Sequence, residues 1–133
     1  MTYLIHILLN VGDTMATVRL RLDPTQKILL KRGLNKNGRG QVFFTKECAK
    51  EFNNYVPFKT GRLKDMDIEI KVDKIIYKAP YAKLQYYSNS GNGIGGTSVG
   101  GLRGKRWDKR CWVNKGSEIV ERTARFCGVR SGR

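Results

Sequence analysis

Two stretches of the chain, residues 16–22 and 67–72, alternate between apolar and polar residues, the pattern of strands with one buried face. A third stretch, residues 74–78, has an apolar centre and follows the second. The second and third are separated only by Asp73, a residue that favours turns, so we expect them to form a β-hairpin. The pattern therefore predicts three strands.

Two longer stretches, residues 41–56 and 109–127, have apolar residues at helical spacing. The apolar stripe of the first consists of Phe44, Cys48, Phe52 and Tyr55. Pro57 ends this helix because a proline pushes the preceding residue out of the α region. Asp23 as N-cap and Pro24 at the first helical position predict a further short helix.

These elements predict a single α+β domain. Its small, mostly antiparallel sheet carries the central and the C-terminal helix on one face. A length of 133 residues fits one domain. A short helix at residues 81–87 leads into residues 88–104, which we expect to be a flexible loop because seven of the fourteen residues 91–104 are glycine. Met15 directly precedes the first strand, so residues 1–14 are interpreted as an upstream extension of a domain at 15–133.

Charge narrows the choice of partners. The chain has 26 Lys and Arg against 11 Asp and Glu, a net charge of +15, which favours a polyanionic or acidic partner. Its densest basic run also contains a tryptophan, and could contact DNA or an acidic partner. The candidate residues are Arg103, Lys105, Arg106, Trp107, Lys109 and Arg110. Alternatively, the run is a loop that leads into a helix, with Trp107 or Trp112 as an anchor in the core.

Little in the sequence indicates catalysis or a bound group. Three cysteines, no CxxC pair and the single histidine His6 do not make a zinc site, and Cys48 and Cys127 fit buried thiols on apolar helix faces. Residues 91–96 spell GxGxxG without the strand and helix that a dinucleotide site needs. No apolar run is long enough to span a bilayer. We therefore expect no catalytic residue, cofactor, metal or membrane contact.

One acidic cluster leaves an enzymatic alternative open. Glu69, Ile70 and Lys71 match the E-x-K part of a nuclease site, in which acids hold a metal and the lysine polarises a phosphate. The other explanation is a strand with its charged face in solvent. A small metal-dependent nuclease is thus the third hypothesis, after a structural protein and a basic protein that binds nucleic acid without sequence preference.

Two motifs occur in order along the chain. The first motif, residues 55–63, reads Tyr-Val-Pro-Phe-Lys-Thr-Gly-Arg-Leu, and the second motif, residues 75–87, reads Ile-Ile-Tyr-Lys-Ala-Pro-Tyr-Ala-Lys-Leu-Gln-Tyr-Tyr. With the glycine-rich loop and the basic run behind them, they resemble the minor capsid protein family of tailed bacteriophages of Gram-positive hosts. More distantly, they are similar to lambdoid-like tail-completion proteins. Residues 16–127 carry the resemblance; Asp65 and Met66 stand where the family commonly has a serine.

The resemblance implies a virion structural protein of the head–tail connector, or neck, without catalytic activity. It would form a homo-oligomeric ring between the head-side connector and the tail terminator or tail tube, in contact with packaged DNA or with acidic neighbours. It would be located in the virion, and in the host cytoplasm during assembly. The residues assigned to subunit contacts or to the structure of the motifs are Tyr55, Pro57, Thr60, Gly61, Leu63, Tyr77, Pro80, Tyr81, Ala82, Tyr86 and Tyr87. The tyrosines suit either subunit contacts or the core of a small sheet.

Overall fold

The structure, a computed structural model, describes residues 6–10, 15–19, 22–24, 26, 28, 38–57, 68–79, 82–93 and 95–128. The strands are β1 (His6–Asn10), β2 (Met15–Arg19), β3 (Ile68–Ile70) and β4 (Lys74–Tyr77). The helices with described bounds are α1 (Gly38–Phe52), α2 (Ala82–Ser88) and α3 (Trp107–Phe126), and a 3-10 turn lies at Thr97–Val99.

The strands form one mixed sheet in the order β2-β1-β4-β3. β1 pairs antiparallel with β2 and parallel with β4, and β3 pairs antiparallel with β4. The predicted α+β class, with a mostly antiparallel sheet, is therefore confirmed. The predicted hairpin is also present, but the sheet has a fourth strand.

The fourth strand is β1, which lies in the centre of the sheet. Ile7 pairs with Ile75 and Leu9 with Tyr77, and all four side chains are buried on the same face. The sequence patterns predict no strand in residues 1–14. The structure places two of the most deeply buried aliphatic side chains there.

Helices α1 and α3 pack against each other and against this face of the sheet. The predicted α1 stripe is confirmed, because Phe44, Cys48, Phe52 and Tyr55 are all buried. The Phe44 ring meets the edge of Trp112 of α3, with ring centres 6.2 Å apart. Cys127, in contrast, is only half-buried, so the prediction of a buried thiol holds for Cys48 and not for Cys127.

The predicted helix start at Asp23 is also present. Asp23 Oδ1 accepts a hydrogen bond from the Gln26 amide at 2.8 Å, and Gln26 Oε1 accepts one from the Asp23 amide at 3.1 Å. This reciprocal pair is a capping box. Pro24, Gln26 and Ile28 have helical backbone, as the sequence predicts.

β3 ends earlier than the alternation predicts. The pattern continues to Val72, but the Lys71 amide donates to the Lys74 carbonyl at 2.8 Å and so closes the turn of the hairpin. The Val72 carbonyl instead accepts a hydrogen bond from the Thr45 hydroxyl of α1 at 2.6 Å. The Val72 carbonyl therefore has a helix side chain as its partner and not a neighbouring strand. The alternating pattern of the sequence does not predict this contact.

The position of β1 leads to a stability prediction. A chain shortened to begin at Met15 loses the burial of Ile7 and Leu9, about 3–6 kcal/mol for two large aliphatic side chains. Because this approaches the whole stability of a small domain, we expect the shortened chain not to unfold cooperatively in urea. The full chain is the control.

A milder pair of variants tests the same point in the intact chain. Leu9→Ala should lower the free energy of unfolding by about 2–5 kcal/mol, whereas Leu8→Ala, on the opposite and half-buried side of β1, should lower it by less. An unchanged urea midpoint in both the shortened chain and Leu9→Ala would contradict a central β1.

Candidate functional site

The turn that follows α1 is held by a side chain from far along the sequence. α1 ends at Phe52, and the backbone amides of residues 53–56 donate to the carbonyls of Ala49, Glu51 and Phe52. Arg103 Nη1 donates to the carbonyl oxygens of Asn53 and Val56 in this turn, each at 2.8 Å. The guanidinium also offsets the negative end of the helix dipole. Arg103 therefore joins the basic run to the first motif at Val56.

Arg110 of α3 makes a second connection to the same place. Its Nε donates to the Lys105 carbonyl at 2.7 Å, and its guanidinium carbon lies 5.6 Å from the centre of the Tyr55 ring. Partial burial lowers the pKa of this guanidinium, which still remains charged at neutral pH. The Tyr55 hydroxyl in turn accepts a hydrogen bond from Asn114 Nδ2 at 2.8 Å. Tyr55 is thus held by α3 at both its ring and its hydroxyl.

The glycine-rich segment between α2 and α3 forms a compact, hydrogen-bonded loop. Within residues 95–104, the Gly101 amide donates to the Gly96 carbonyl at 2.8 Å. A Cβ at Gly96 would lie 2.0 Å from the Gly91 carbonyl oxygen, so no larger residue fits there without movement of the backbone. Close packing of the backbone therefore requires glycine here, independently of the flexibility that the composition suggests.

Trp107 lies in the core, as the anchor interpretation of the basic run expects. Its ring is in edge contact with Tyr77 and Tyr86, with ring centres 5.2 and 5.0 Å apart. The Tyr86 hydroxyl donates to the buried carboxylate of Asp108. Burial, reinforced by the negative charge of Asp108, raises the pKa values of Tyr77 and Tyr86 well above their ordinary value. Both tyrosines therefore stay protonated and serve the core.

This arrangement leaves an exposed basic and aromatic surface at the start of α3. Lys105 and Arg106 are exposed, and the Arg106 guanidinium carbon lies 5.2 Å from the centre of the exposed Tyr87 ring. Arg106 has a left-handed backbone with φ 50°, which is unusual for a residue other than glycine. Lys109 is partly exposed, with its Nζ 3.3 Å from Asp108 Oδ2. We call Tyr87, Lys105 and Arg106 the α3 start surface.

The residues of the two motifs divide into buried and exposed ones. The buried ones are Tyr55, Pro57, Tyr77, Ala82 and Tyr86. Tyr87 has 41% of its surface exposed and remains available for contact with another molecule. Thr60, Gly61, Leu63, Pro80 and Tyr81 lie outside the described residues.

The acidic cluster forms ion pairs on the sheet surface. Glu69 Oε1 lies 3.1 Å from Lys78 Nζ, and Glu69 Oε2 lies 3.5 Å from Lys71 Nζ. The hydrogen bond from Lys78 lowers the pKa of Glu69. Asp65 and Asp67 are outside the described residues, and the described part of the chain contains no group of three or more His, Cys, Asp or Glu side chains suited to a metal. Glu69 in β3 and Lys71 in the hairpin turn therefore form a partly exposed ion pair.

Cys48 and Cys111 are buried thiols. Burial raises the pKa of Cys111 to about 12 and that of Cys48 well above its usual range, so both stay protonated, the less reactive form. Among the described residues, no helix combines the length and the apolar character that crossing a membrane requires.

Sequence analysis did not predict one further feature, a second stripe on the outer side of α1. Arg39, Val42, Phe43 and Lys46 follow one another at helical spacing. The signal is present in the sequence, but the stronger stripe that starts at Phe44 dominates the pattern. The Phe43 ring stacks on Phe126 at the end of α3, with ring centres 4.3 Å apart.

The candidate site is thus an exposed basic and aromatic surface on a domain in which most of the described motif residues named above are buried. The sequence profile of the minor capsid protein family matches residues 18–125, most of the chain. The chain therefore belongs to the minor capsid protein family, a family of virion structural proteins, and the resemblance seen in the two motifs is confirmed at that level. No curated protein and no solved structure matches the chain significantly.

The position of Arg103 leads to a prediction. Arg103→Ala removes two charge-assisted hydrogen bonds to the turn after α1 and should lower the free energy of unfolding by about 1.5–3 kcal/mol. Lys105→Ala, two residues away and exposed, should change it by less than about 0.5 kcal/mol. Urea unfolding of both variants measures the difference. Equal effects would mean that Arg103 acts only as one more surface charge.

The loop glycines allow a matched comparison. Gly96→Ala should destabilise the protein by about 1–3 kcal/mol because its Cβ overlaps the Gly91 carbonyl. Gly93→Ala should be nearly neutral, since a Cβ at Gly93 meets nothing within 4 Å. Thermal unfolding and protease cleavage within the loop should both separate the two variants. A neutral Gly96→Ala would show that the loop does not hold its compact form.

Proposed function

We propose that the protein is a component of the head–tail connector, or neck, of a tailed phage. In this proposal it forms a homo-oligomeric ring that joins the head-side connector to the tail terminator or tail tube. The observation that carries the proposal is the family match over residues 18–125, together with the order of the two motifs. A ring component needs a rigid domain with chemically distinct exposed surfaces for its neighbours.

The packing of the motifs supports this role. Arg103 and Arg110 fix the first motif to the glycine-rich loop and to the start of α3. The Tyr86 hydroxyl fixes the second motif to α3 through Asp108. Both motifs therefore hold the α3 start surface in place, and that surface presents cations and an aromatic ring to an acidic neighbour or to DNA.

Sequence-independent binding of nucleic acid, unconnected with a virion, is the second candidate function. The exposed Lys105 and Arg106 beside Tyr87 favour it, since cations that follow a phosphate backbone and a ring that stacks on bases are the usual elements of such binding. In a neck, the same surface could line the passage for DNA. The two candidates therefore differ in assembly and not in the presence of the basic surface.

Co-assembly tests the first candidate. The full chain, mixed with the purified head-side connector of the same phage, should give a larger complex in size-exclusion chromatography with light scattering, and a ring in electron micrographs. Arg106→Glu should weaken this assembly roughly tenfold, or about 1.4 kcal/mol, if the α3 start surface contacts an acidic neighbour. Val113→Ser, on the most exposed apolar side chain of α3, is the control.

A parallel measurement with duplex DNA separates the candidates. Two results together would favour the nucleic-acid-binding protein. The chain would form no complex with the connector or with tail proteins, and the affinity of the isolated chain for DNA would fall steeply between low and moderate salt. The neck proposal is supported if the ring forms without DNA and if Val113→Ser assembles as readily as the original chain.

A further inference from the structure

An open apolar groove lies between the outer side of α1, the turn between β3 and β4, and the end of α3. Its volume is about 540 Å³. We call it the α1 groove, and its lining residues are Arg39, Val42, Phe43, Lys46, Val72 and Phe126. It is separate from the α3 start surface, which lies at the other end of α3.

The floor of the α1 groove is apolar and partly open to solvent. Phe43 and Phe126 stack with nearly parallel rings, 8° apart. Phe126 keeps 45% of its surface exposed and Val72 keeps 55%. Covering such surface gains about 25 cal/mol per Å² of apolar area. A contiguous apolar surface with a polar rim is typical of an interaction site.

The groove is held in shape by α1. The Thr45 hydroxyl, buried under the groove wall, donates to the Val72 carbonyl oxygen at 2.6 Å. Gln41 Nε2 donates to the same hydroxyl at 3.1 Å. The Val72 wall is therefore fixed to the helix that provides the floor. A preformed groove binds a partner at a lower cost in conformational entropy.

The rim of the groove is positively charged. Arg39 and Lys46 are exposed and lie two turns apart on α1, on either side of the Val42 and Phe43 floor. The Arg39 guanidinium carbon lies 5.7 Å from the centre of the Phe126 ring. None of the described residues that line the groove is acidic. An occupant must therefore supply both apolar side chains and negative charge.

We propose that the α1 groove binds an acidic amphipathic segment of a neighbouring protein. Apolar side chains of that segment cover Val72 and Phe126, and its carboxylates pair with Arg39 and Lys46. A second copy of this chain fits less well, because it carries a net charge of +15 and would bring like charge to a basic rim. DNA matches the rim but does not cover an apolar floor. The inference holds for any assembly that the protein joins and does not rest on the neck position.

Nuclear magnetic resonance tests the proposal on the full chain, uniformly labelled with ¹⁵N. The probe is a synthetic helical peptide with leucines on one face and glutamates on the other. Amide peaks of Val42, Phe43, Lys46 and Val72 should shift as the peptide is added. A peptide with lysine in place of glutamate, and one with serine in place of leucine, should shift them at least tenfold less at equal concentration.

Paired variants locate the binding. Val72→Ser and Lys46→Glu should each weaken the binding of the acidic peptide at least tenfold. Their matched controls, Val113→Ser and Lys83→Glu, change an exposed valine and an exposed lysine outside the groove and should leave its affinity within twofold. Well-dispersed spectra of all four variants establish that they are folded.

Several results would overturn the proposal. No shift with the acidic peptide, or equal losses in the groove variants and their controls, means that there is no specific site. Shifts of the same peaks with a short DNA duplex, lost in Val72→Ser, would assign the groove to nucleic acid. Dimers in light scattering that Val72→Ser abolishes would assign it to a second copy. Each outcome is independent of co-assembly with the connector, so the neck proposal can stand or fall separately.

Discussion

The turn that follows α1 has backbone carbonyl groups that need partners, and the rest of the architecture depends on how they obtain them. Arg103 supplies two hydrogen bonds, to the carbonyls of Asn53 and Val56, and the amide of Gly104 supplies another to the Tyr55 carbonyl at 3.1 Å. The loop before Arg103 folds back on itself, with a close approach of Gly91 and Gly96. The carbonyl groups of one turn therefore hold the end of the loop, close to the start of α3, against the end of α1.

The basic residues fall into two classes, those that bind other groups of the molecule and those that face solvent. Arg103 and Arg110 are used within the molecule, and so is Arg122, whose Nη1 lies 2.8 Å from Glu51 and 3.1 Å from Glu47. The net charge of +15 thus overstates the surface that a partner can use. A dense run of basic residues in a sequence is not by itself a binding site, because arginine also serves as a polar brace for backbone carbonyls.

Local patterns predicted most of the fold, whereas long-range pairing did not follow from them. The Phe44 stripe, the hairpin and the Asp23 cap depend on residues close in sequence, and each is present. β1 pairs in parallel with a strand more than sixty residues later, and no local period contains that information.

The candidate site was predictable to a similar extent. The alternative in which Trp107 is an anchor proved right, but whether a given arginine faces solvent or a carbonyl depends on the folded path of the chain. The two roles of Arg103 and Lys105, two residues apart, could not be distinguished from charge alone.

The two exposed surfaces lie at opposite ends of one helix. Arg106 immediately precedes α3 and Phe126 ends it, so about 30 Å of helix separates them at 1.5 Å per residue. Near its C-terminal end, Arg122 pairs with carboxylates of α1 and α3, which compensates charge in that part of the helix. Helix α3 thus has the cationic and aromatic α3 start surface at one end and the apolar, basic-rimmed α1 groove at the other. Because the two surfaces differ in chemistry as well as position, they would suit two different neighbours, as the proposed neck component requires.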